Sequence, residues 1–403
     1  MASLYVTPEG RLPPQGRRLY ARIVMPKASQ PKRQSRTKKA EARRTLTKRA
    51  MALEAPTFST SVVAWYRQHG RQDLPWQHSN DPYHRWVSEI MLQQTQVATV
   101  IPYYCRFIDR FPDMQSLATA RVDDVLDYWT GLGYYARARN LHRATQVILR
   151  DHDGVFPGAF EDVAALPGIG RSTAGAILAF SFNQSYPILD GNVRRVLARY
   201  HAIDGWPGKA DVARRLWAAA ERHTPGEDIG DYTQAMMDIG AEVCLRRRPR
   251  CTECPLSSGC KSHNQGNPEQ YPASRPRRTR HWRATTMVMA RDHLGRVLLE
   301  RRPATGIWGG LWSFPECPPE QSPERWFQEQ FGLDIKSGAP WDVVPHGFTH
   351  LKLEIRPVPA KLVGTATIVE SLDRVWYKPG SSLGRGVAAP IRRLLERLQE
   401  YPF

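Results

Sequence analysis

The chain has 403 residues, with 57 Lys and Arg against 39 Asp and Glu, a formal charge of +18, and 41% hydrophobic residues. That length suits two domains better than one, and the composition is that of a globular protein with material for real cores. No stretch nears the roughly 18–20 uninterrupted apolar residues of a membrane helix, so a soluble, cytoplasmic protein is expected. The basic excess points to a polyanionic partner such as nucleic acid.

That charge is uneven. Residues 1–50 hold 14 Lys and Arg against only Glu9 and Glu41. Rich in Arg, Lys, Ser, Thr, Gln and Pro and without a sustained apolar period, residues 1–55 read as a basic, disordered extension. No apolar h-region follows the basic residues, so a secretory signal does not fit. A nonspecific DNA-binding arm, an organellar or nuclear targeting segment, and a natural start at Met51 all stay open. The last is preferred, because recognisable structure begins within ten residues of Met51.

Residues 56–243 read as helices. Val87–Tyr104, Val122–Thr130, Leu141–Arg150, Thr173–Phe182, Val193–Tyr200 and Ala210–Glu221 carry apolar residues at helical spacing, separated by Pro and Gly. Residues 261–280 are nearly devoid of apolar content and read as a linker. In 281–403 the texture changes. Thr285–Ala290, Val297–Arg301, Trp308–Phe314, Leu351–Pro357 and Arg374–Lys378 look like strands, and Pro323–Phe331 and Pro390–Leu398 like helices. An all-α domain followed by an α+β domain is expected.

Leu166-Pro-Gly-Ile-Gly170 separates two helical stretches, Phe160–Ala165 and Ser172–Phe182. Gly168 and Gly170 permit a tight turn and let backbone N–H groups approach a phosphate beside the next helix N-terminus. Such a hairpin grips a DNA backbone without reading sequence; a plain helix–helix turn fits the bare pattern equally well. Asp190, twenty residues past Gly170 in Ile188-Leu-Asp-Gly-Asn-Val193, reads as a helix cap or as a carboxylate opposing a developing sugar cation. Glu89 lies among the apolar residues of Trp86–Thr95. Buried and protonated, it would suit a general acid; partly exposed, it would be an ordinary helical glutamate.

Taken in order, Leu74-Pro-Trp76, Ser88-Glu-Ile-Met-Leu-Gln-Gln-Thr95, Gly131-Leu-Gly-Tyr-Tyr135, Leu166-Pro-Gly-Ile-Gly170 and Leu189-Asp-Gly-Asn192 closely resemble adenine DNA glycosylases of the MutY family. The agreement spans about Phe58 to Cys260 and resumes in the C-terminal domain. It implies an all-α helix-hairpin-helix glycosylase domain that flips adenine from a mispair with 8-oxoguanine or guanine in double-stranded DNA and hydrolyses its N-glycosidic bond. A monomer is the default expectation. By this resemblance Glu89 protonates adenine N7, and Asp190 stabilises the oxocarbenium-like sugar by charge or a transient covalent bond, a division of labour like that of glycoside hydrolysis. Gln94 and Tyr134 match residues that enter the base stack and offset part of the flipping cost. Trp76, Leu92 and Gln234 match the adenine pocket, although Trp76 and Leu92 alone would read as core. Gly168, Gly170, Ser172 and Arg247 are assigned to the DNA backbone.

Endonuclease III-like relatives of this fold cut the strand with a Lys just after the hairpin, whose amine forms a Schiff base. Ser172 stands at that position, and a hydroxyl cannot form an imine, so a monofunctional glycosylase is expected. The rival from another class is a damage-binding protein without catalysis; the presence of both Glu89 and Asp190 argues against it.

Cys244, Cys251, Cys254 and Cys260 follow an x6, x2, x5 spacing in a chain without a secretion signal, which points to metal rather than disulfides. Zinc and iron–sulfur both suit four sulfurs, but the paired C-x2-C knuckles of structural zinc are missing. The spacing resembles the 4Fe–4S loop of this glycosylase superfamily, which implies a structural, DNA-positioning 4Fe–4S cluster over 244–260. Arg246-Arg-Arg-Pro-Arg250 inside that loop would meet phosphates. Cys105 and Cys317 read as free packing cysteines.

Gly295–Arg302 and Gly306–Glu316 resemble a Nudix-type, MutT-like domain. Gly310 and Glu316 keep the opening of the Nudix box, but Glu324–Gln330 lacks the paired carboxylates that hold magnesium. Pyrophosphohydrolase activity is therefore not expected, and the scaffold reads as one repurposed for binding. In MutY proteins this domain senses 8-oxoguanine. His346-Gly-Phe-Thr-His350 matches the sensing segment, assigning Phe348, Thr349 and His350 to that role, with Thr349 in place of a serine but keeping the hydroxyl.

Overall fold

The computed structural model describes residues 58–79, 81–276, 279–348, 351–365, 368 and 370–400; the basic extension expected over 1–55 lies outside them. Helical residues 58–69 (α1) lead into a 3-10 turn at Pro75–Gln77. Then follow α2 (Pro82–Leu92), α3 (Val97–Arg110), α4 (Met114–Thr119), α5 (Val122–Tyr128), α6 (Ala136–Asp151), α7 (Phe160–Ala165), α8 (Arg171–Phe182), α9 (Gly191–His201), α10 (Ala210–His223) and α11 (Ile229–Asp238). Short polar side chains start several of them. Asp81 accepts from the Tyr83 N–H with Pro82 in the first turn, Asp113 from Ser116 N–H, and Asp190 from Val193 N–H. The apolar stripes pack into one core around Trp86, Phe107, Phe111 and Trp129. A second core gathers Val196, Leu216 and Met236 from α9, α10 and α11. No helix among the described residues is long and apolar enough to cross a membrane.

The helix expected over Val87–Tyr104 is in fact two. α2 stops at Leu92, Gln94 takes φ +60°, and α3 begins at Val97. The polar run Gln93-Gln-Thr-Gln96 has no apolar stripe to bury, and Arg137 draws off the carbonyls of the last α2 turn. The expected linker also begins later than its composition suggests. Lys261–Asn264 forms a turn of helix (α12) with Ser262 buried, and Tyr271 O accepts from Arg199, so this stretch belongs to the helical domain. Cys317 is buried, but Cys105 is exposed on α3 and not a packing cysteine.

The second domain is built on β1 (His281–Arg291), which pairs in parallel with β7 (Leu351–Leu362) from His281↔Leu351 to Arg291↔Lys361. β2 (Val297–Arg301) lies antiparallel to β1 and also holds β3 (Trp312–Ser313) and β8 (Arg374–Tyr377). β4 (Glu316–Cys317) pairs with β1, and β5 (Ile335–Ser337) and β6 (Val344–Gly347) with β7. Both faces of β1 are covered. Val288 and Ala290 pack with Phe327 of α13 (Pro323–Phe331), while Met287 and Met289 share a core with Ile391 and Leu394 of α14 (Ala389–Glu400). The strand expected over Trp308–Phe314 shrinks to two residues, because positive φ at Gly306, Trp308 and Gly310 curls the chain before it can pair.

The α14 side is continuous with the helical domain, since Leu126 and Trp129 share one buried cluster with Trp312 and Val387. A Cβ on Gly386 would lie 2.6 Å from the Leu126 Cβ, so the close approach of backbone to α5 needs glycine there. At this seam Asp123, only 2% exposed, accepts from Trp312 Nε1 at 3.2 Å and pairs with Arg301 at 2.8 Å. Arg139 of α6 donates to Gly309 O across the same seam. Removing the carboxylate strands a buried indole N–H and a half-buried guanidinium. We expect Asp123→Ala to lower the unfolding free energy by about 2–4 kcal/mol. A denaturant titration read at both domains tests this, and an unchanged midpoint would mean that the ion pair contributes nothing net.

Candidate active site

Glu89 sits in the last turn of α2, beside the fully buried Trp86, Val87, Ile90 and Met91. Asp190 caps α9, which packs with α11; α11 in turn packs on α8, and α8 on α2. This stacking brings the two carboxyls, far apart in sequence, into one site. The Glu89 carboxyl is pushed up to about 8, first by burial and then by the charge of Asp190, with Arg85 opposing. Burial raises Asp190 too, but there the N–H groups of Val193 and Asn192 and the charges of Arg195 and Arg194 work against it. Glu89 makes no hydrogen bond or ion pair with a described residue, whereas Asp190 accepts from Val193 N–H at 2.8 Å. Hydrogen bonding thus favours the charged form at Asp190, while burial without a hydrogen bond favours the protonated form at Glu89.

Ser172, assigned by sequence to the DNA backbone, has an internal use that the sequence reading missed. Its hydroxyl accepts from the Leu189 N–H at 2.8 Å, tying the segment before Asp190 to the start of α8. The adjoining hairpin turns at Gly168 with φ +82°. A Cβ there would meet Asn140 at 2.8 Å, while nothing lies within 4 Å of a Cβ on the exposed Gly170. The glycines thus give both a close internal approach and an open outer face.

Trp76, Leu92 and Gln234 come from three elements. Trp76 is buried edge-on to Tyr104, whose hydroxyl is buried without a partner, and Leu92 is half-buried at the end of α2. Gln234 is aligned at both ends. Its amide donates to Asp238 at 2.9 Å, and its carbonyl accepts from Gln77, the neighbour of Trp76, at 3.3 Å. Asp238, fully buried, is itself held by Arg71 through the backbone N–H and the guanidinium. Gln94 and Tyr134 are both exposed, and both adopt positive φ, +60° and +50°. For residues other than glycine this conformation costs roughly 1 kcal/mol or more and needs support from its surroundings.

Cys244, Cys251, Cys254 and Cys260 line one cavity with Val196, Tyr200 and Leu256. Among the described residues, no three Cys, His, Asp or Glu side chains converge as ligands of a single ion. Burial pushes the Cys254 thiol up to about 12, and at Cys244 the same effect is opposed by Arg199, which donates to its sulfur at 3.2 Å. Arg199 also holds the Leu245 and Arg246 carbonyls, and Arg195 holds Cys244 O, so α9 carries both Asp190 and the cysteine loop. Arg246 and Arg247 are exposed and form no ion pair with a described residue; Arg250 lies 3.8 Å from Glu253.

In the second domain Phe348 lies at the tip of the β6–β7 hairpin, its N–H on Leu351 O. Its ring meets His346 at 4.7 Å and Trp308 at 5.8 Å. Thr349 and His350 lie outside the described residues. Glu316, the carboxylate kept from the Nudix box, is taken by Arg302, with Arg283 at 3.6 Å. Sequence reasoning missed Asp238, Arg137, Arg199 and Trp308. The only local signal was for Asp238, which lies four residues, one helical turn, past Gln234.

Residues 87–222 match the HhH-GPD superfamily of base excision DNA repair proteins, and residues 285–397 match the NUDIX domain. The chain is similar to three proteins named adenine DNA glycosylase. It is 38% identical to that of Buchnera aphidicola subsp. Acyrthosiphon pisum (strain APS), over 86% of this chain and 99% of the relative. It is 36% identical to that of Buchnera aphidicola subsp. Baizongia pistaciae (strain Bp), over 85% and 97%. It is 33% identical to that of Rattus norvegicus, over 74% and 69%.

A raised glutamate binds its proton more tightly in the folded chain than in the unfolded one. Its contribution to stability is thus full below the ordinary value of 4.5 and is lost as pH rises through about 8. We expect Glu89→Gln to match the wild type in melting temperature near pH 4.5 and to exceed it increasingly towards pH 8. Melting curves across that range check this; parallel curves for the two proteins would mean that Glu89 is not displaced.

Proposed function

The chain belongs to the adenine DNA glycosylase family, and from that premise we propose that it acts on adenine paired with 8-oxoguanine or guanine and leaves the DNA strand uncut. The observation that carries the chemistry is the asymmetry of the two carboxyls: Glu89, pushed up to about 8 by burial, has no hydrogen bond to a described residue, while Asp190 is held by backbone N–H groups that favour its charge. Adenine is a poor leaving group until it gains a proton. Glu89 delivers its proton to N7 of the flipped base, the N-glycosidic bond breaks, and positive charge develops on the sugar. Asp190, fixed by α9 and indirectly by Ser172, stabilises that charge while water adds to the sugar carbon and gives up a proton. Trp76, Leu92 and Gln234 enclose the base. Asp238 and Gln77 fix the orientation of the Gln234 amide, and so the hydrogen-bond pattern offered to the base. Gln94 and Tyr134 fill the space that it vacates.

The absence of strand cutting rests on Ser172, whose hydroxyl is engaged by Leu189 N–H and offers no amine. The backbone is held by the open face of the Gly168–Gly170 hairpin and by Arg246 and Arg247. Phe348, Thr349 and His350 read the base opposite adenine, with the Trp308 ring packed against that of Phe348. The four cysteines fit a 4Fe–4S cluster, since all four line one cavity and Arg199 offers a cation to the Cys244 sulfur. When bound, the cluster supplies a rigid cross-link that takes up the thiols as thiolates. Arg195 and Arg199 position the loop from α9, and the arginines of Arg246–Arg250 then face the phosphates from a fixed base. The basic charge and the fold suit action on DNA, which we assign to a monomer in the cytoplasm.

Single-turnover cleavage of a duplex containing adenine opposite 8-oxoguanine tests the main reading. Product is expected to break only after hot alkali, the rate to fall as pH rises through about 8, and Glu89→Gln to slow excision by about a hundredfold or more. Breaks without alkali would overturn the monofunctional assignment, and full activity of the glutamine variant would remove Glu89 as the acid. For the cysteines, iron and acid-labile sulfide are expected in equal amounts, and Cys254→Ser should lose both and weaken DNA binding. Stoichiometric zinc would rule the cluster out.

A further inference from the structure

Arg137 is a positively charged side chain that is only 8% exposed, and no carboxylate among the described residues pairs with it. Its guanidinium is instead spent on carbonyl and hydroxyl oxygens from two separate segments. One nitrogen donates to Ile90 O at 2.9 Å and to Met91 O and Gln93 O at 2.6 Å; the other donates to Thr95 Oγ1 at 3.2 Å and Gly133 O at 3.1 Å. These oxygens flank Gln94 on both sides and immediately precede Tyr134, and both of these residues are exposed with left-handed backbone. The guanidinium also lies 5.4 Å from the Tyr134 ring and 5.5 Å from that of Trp129. A planar fork with several donors can bridge two segments at once, which a single ammonium cannot do.

The geometry points to Arg137 as a positioning residue that holds Gln94 and Tyr134, on two different loops, in register for joint entry into the base stack. The inference rests on the reading of those two residues as the ones that replace the flipped adenine. Ordered in advance, the two loops lose little conformational freedom when DNA arrives, so the strain at both residues is met during folding and not at the moment of flipping. Arg137 touches neither the base nor the sugar; it acts through the two loops.

A bland alternative is that Arg137 merely caps α2 and so supports Glu89. Two backgrounds separate the alternatives. In the otherwise wild-type protein, Arg137→Lys is expected to slow single-turnover adenine excision by about tenfold or more, as small misplacements do. It should also reduce the fluorescence gain of a 2-aminopurine placed in the adenine position. In a Gln94→Ala/Tyr134→Ala background, already slowed, the same lysine substitution should change the rate by less than about twofold, because nothing is left for it to position. An equal loss in both backgrounds would overturn the clamp in favour of the helix cap, and an unchanged rate in the wild-type background would overturn it outright. A Gln94→Ala/Tyr134→Ala protein as fast as the wild type would instead remove the stack-entry reading, and the clamp with it. Should Arg137→Lys fail to fold by melting and circular dichroism, Thr95→Val, which deletes one acceptor of the fork and keeps the arginine, carries the same comparison.

Discussion

Two carboxyl groups in one enclosed site disfavour each other's charge, and the way this chain resolves that conflict organises much of what surrounds them. The low local dielectric makes each charge raise the cost of the other. The scaffold breaks the symmetry by giving hydrogen bonds to Asp190 alone and leaving Glu89 against apolar neighbours. The acid and the counter-charge of the proposed reaction thus come from one residue chemistry in two environments. The same logic extends outward, since Arg85 beside Glu89 and Arg194 and Arg195 beside Asp190 set how far each group is displaced.

α9 links this chemistry to the rest of the domain. Its first residues meet the Asp190 carboxylate, its middle arginines grip the cysteine loop, and its last turn brings Tyr200 against Phe58 of α1. A disturbance in the cysteine loop can therefore reach Asp190 along a single rigid helix. Buried or half-buried arginines recur in this role: Arg137, Arg195 and Arg199 each satisfy several backbone carbonyls where helices or loops end. Such carbonyls are orphans of helix geometry, and a multi-donor fork is an efficient partner for them.

The helical domain was legible because its signals are local. Apolar spacing located most of the helices, glycines marked the hairpin, and the motifs Leu74–Trp76, Ser88–Thr95 and Leu189–Asn192 carried the family resemblance. Pro323–Phe331 and Val297–Arg301 coincide with their expected bounds, since Ser322 and Gly332 punctuate the former. What escaped the sequence were features decided by partners far along the chain. Arg137 interrupts the helix expected over Val87–Tyr104 from some forty residues away. Arg199 claims Tyr271 for the helical domain, and Asp238 fixes Gln234 only because Arg71 reaches it from α1's end. For Ser172, sequence shows a residue that is not lysine, whereas only the fold reveals what the hydroxyl holds.

The seam through Asp123, Arg139 and Gly386 has a further consequence. Because the two cores merge at Leu126, Trp129 and Trp312, the two domains are not beads on a string, and the polar linker does not govern the distance between them. The spacing between the Glu89–Asp190 pair and the Phe348 hairpin is thus set by packing, like the jaws of a gauge. A duplex that engaged both, as proposed above, would have to adopt the curvature this gauge dictates, and the ease with which a base step bends would then enter recognition alongside its hydrogen bonds.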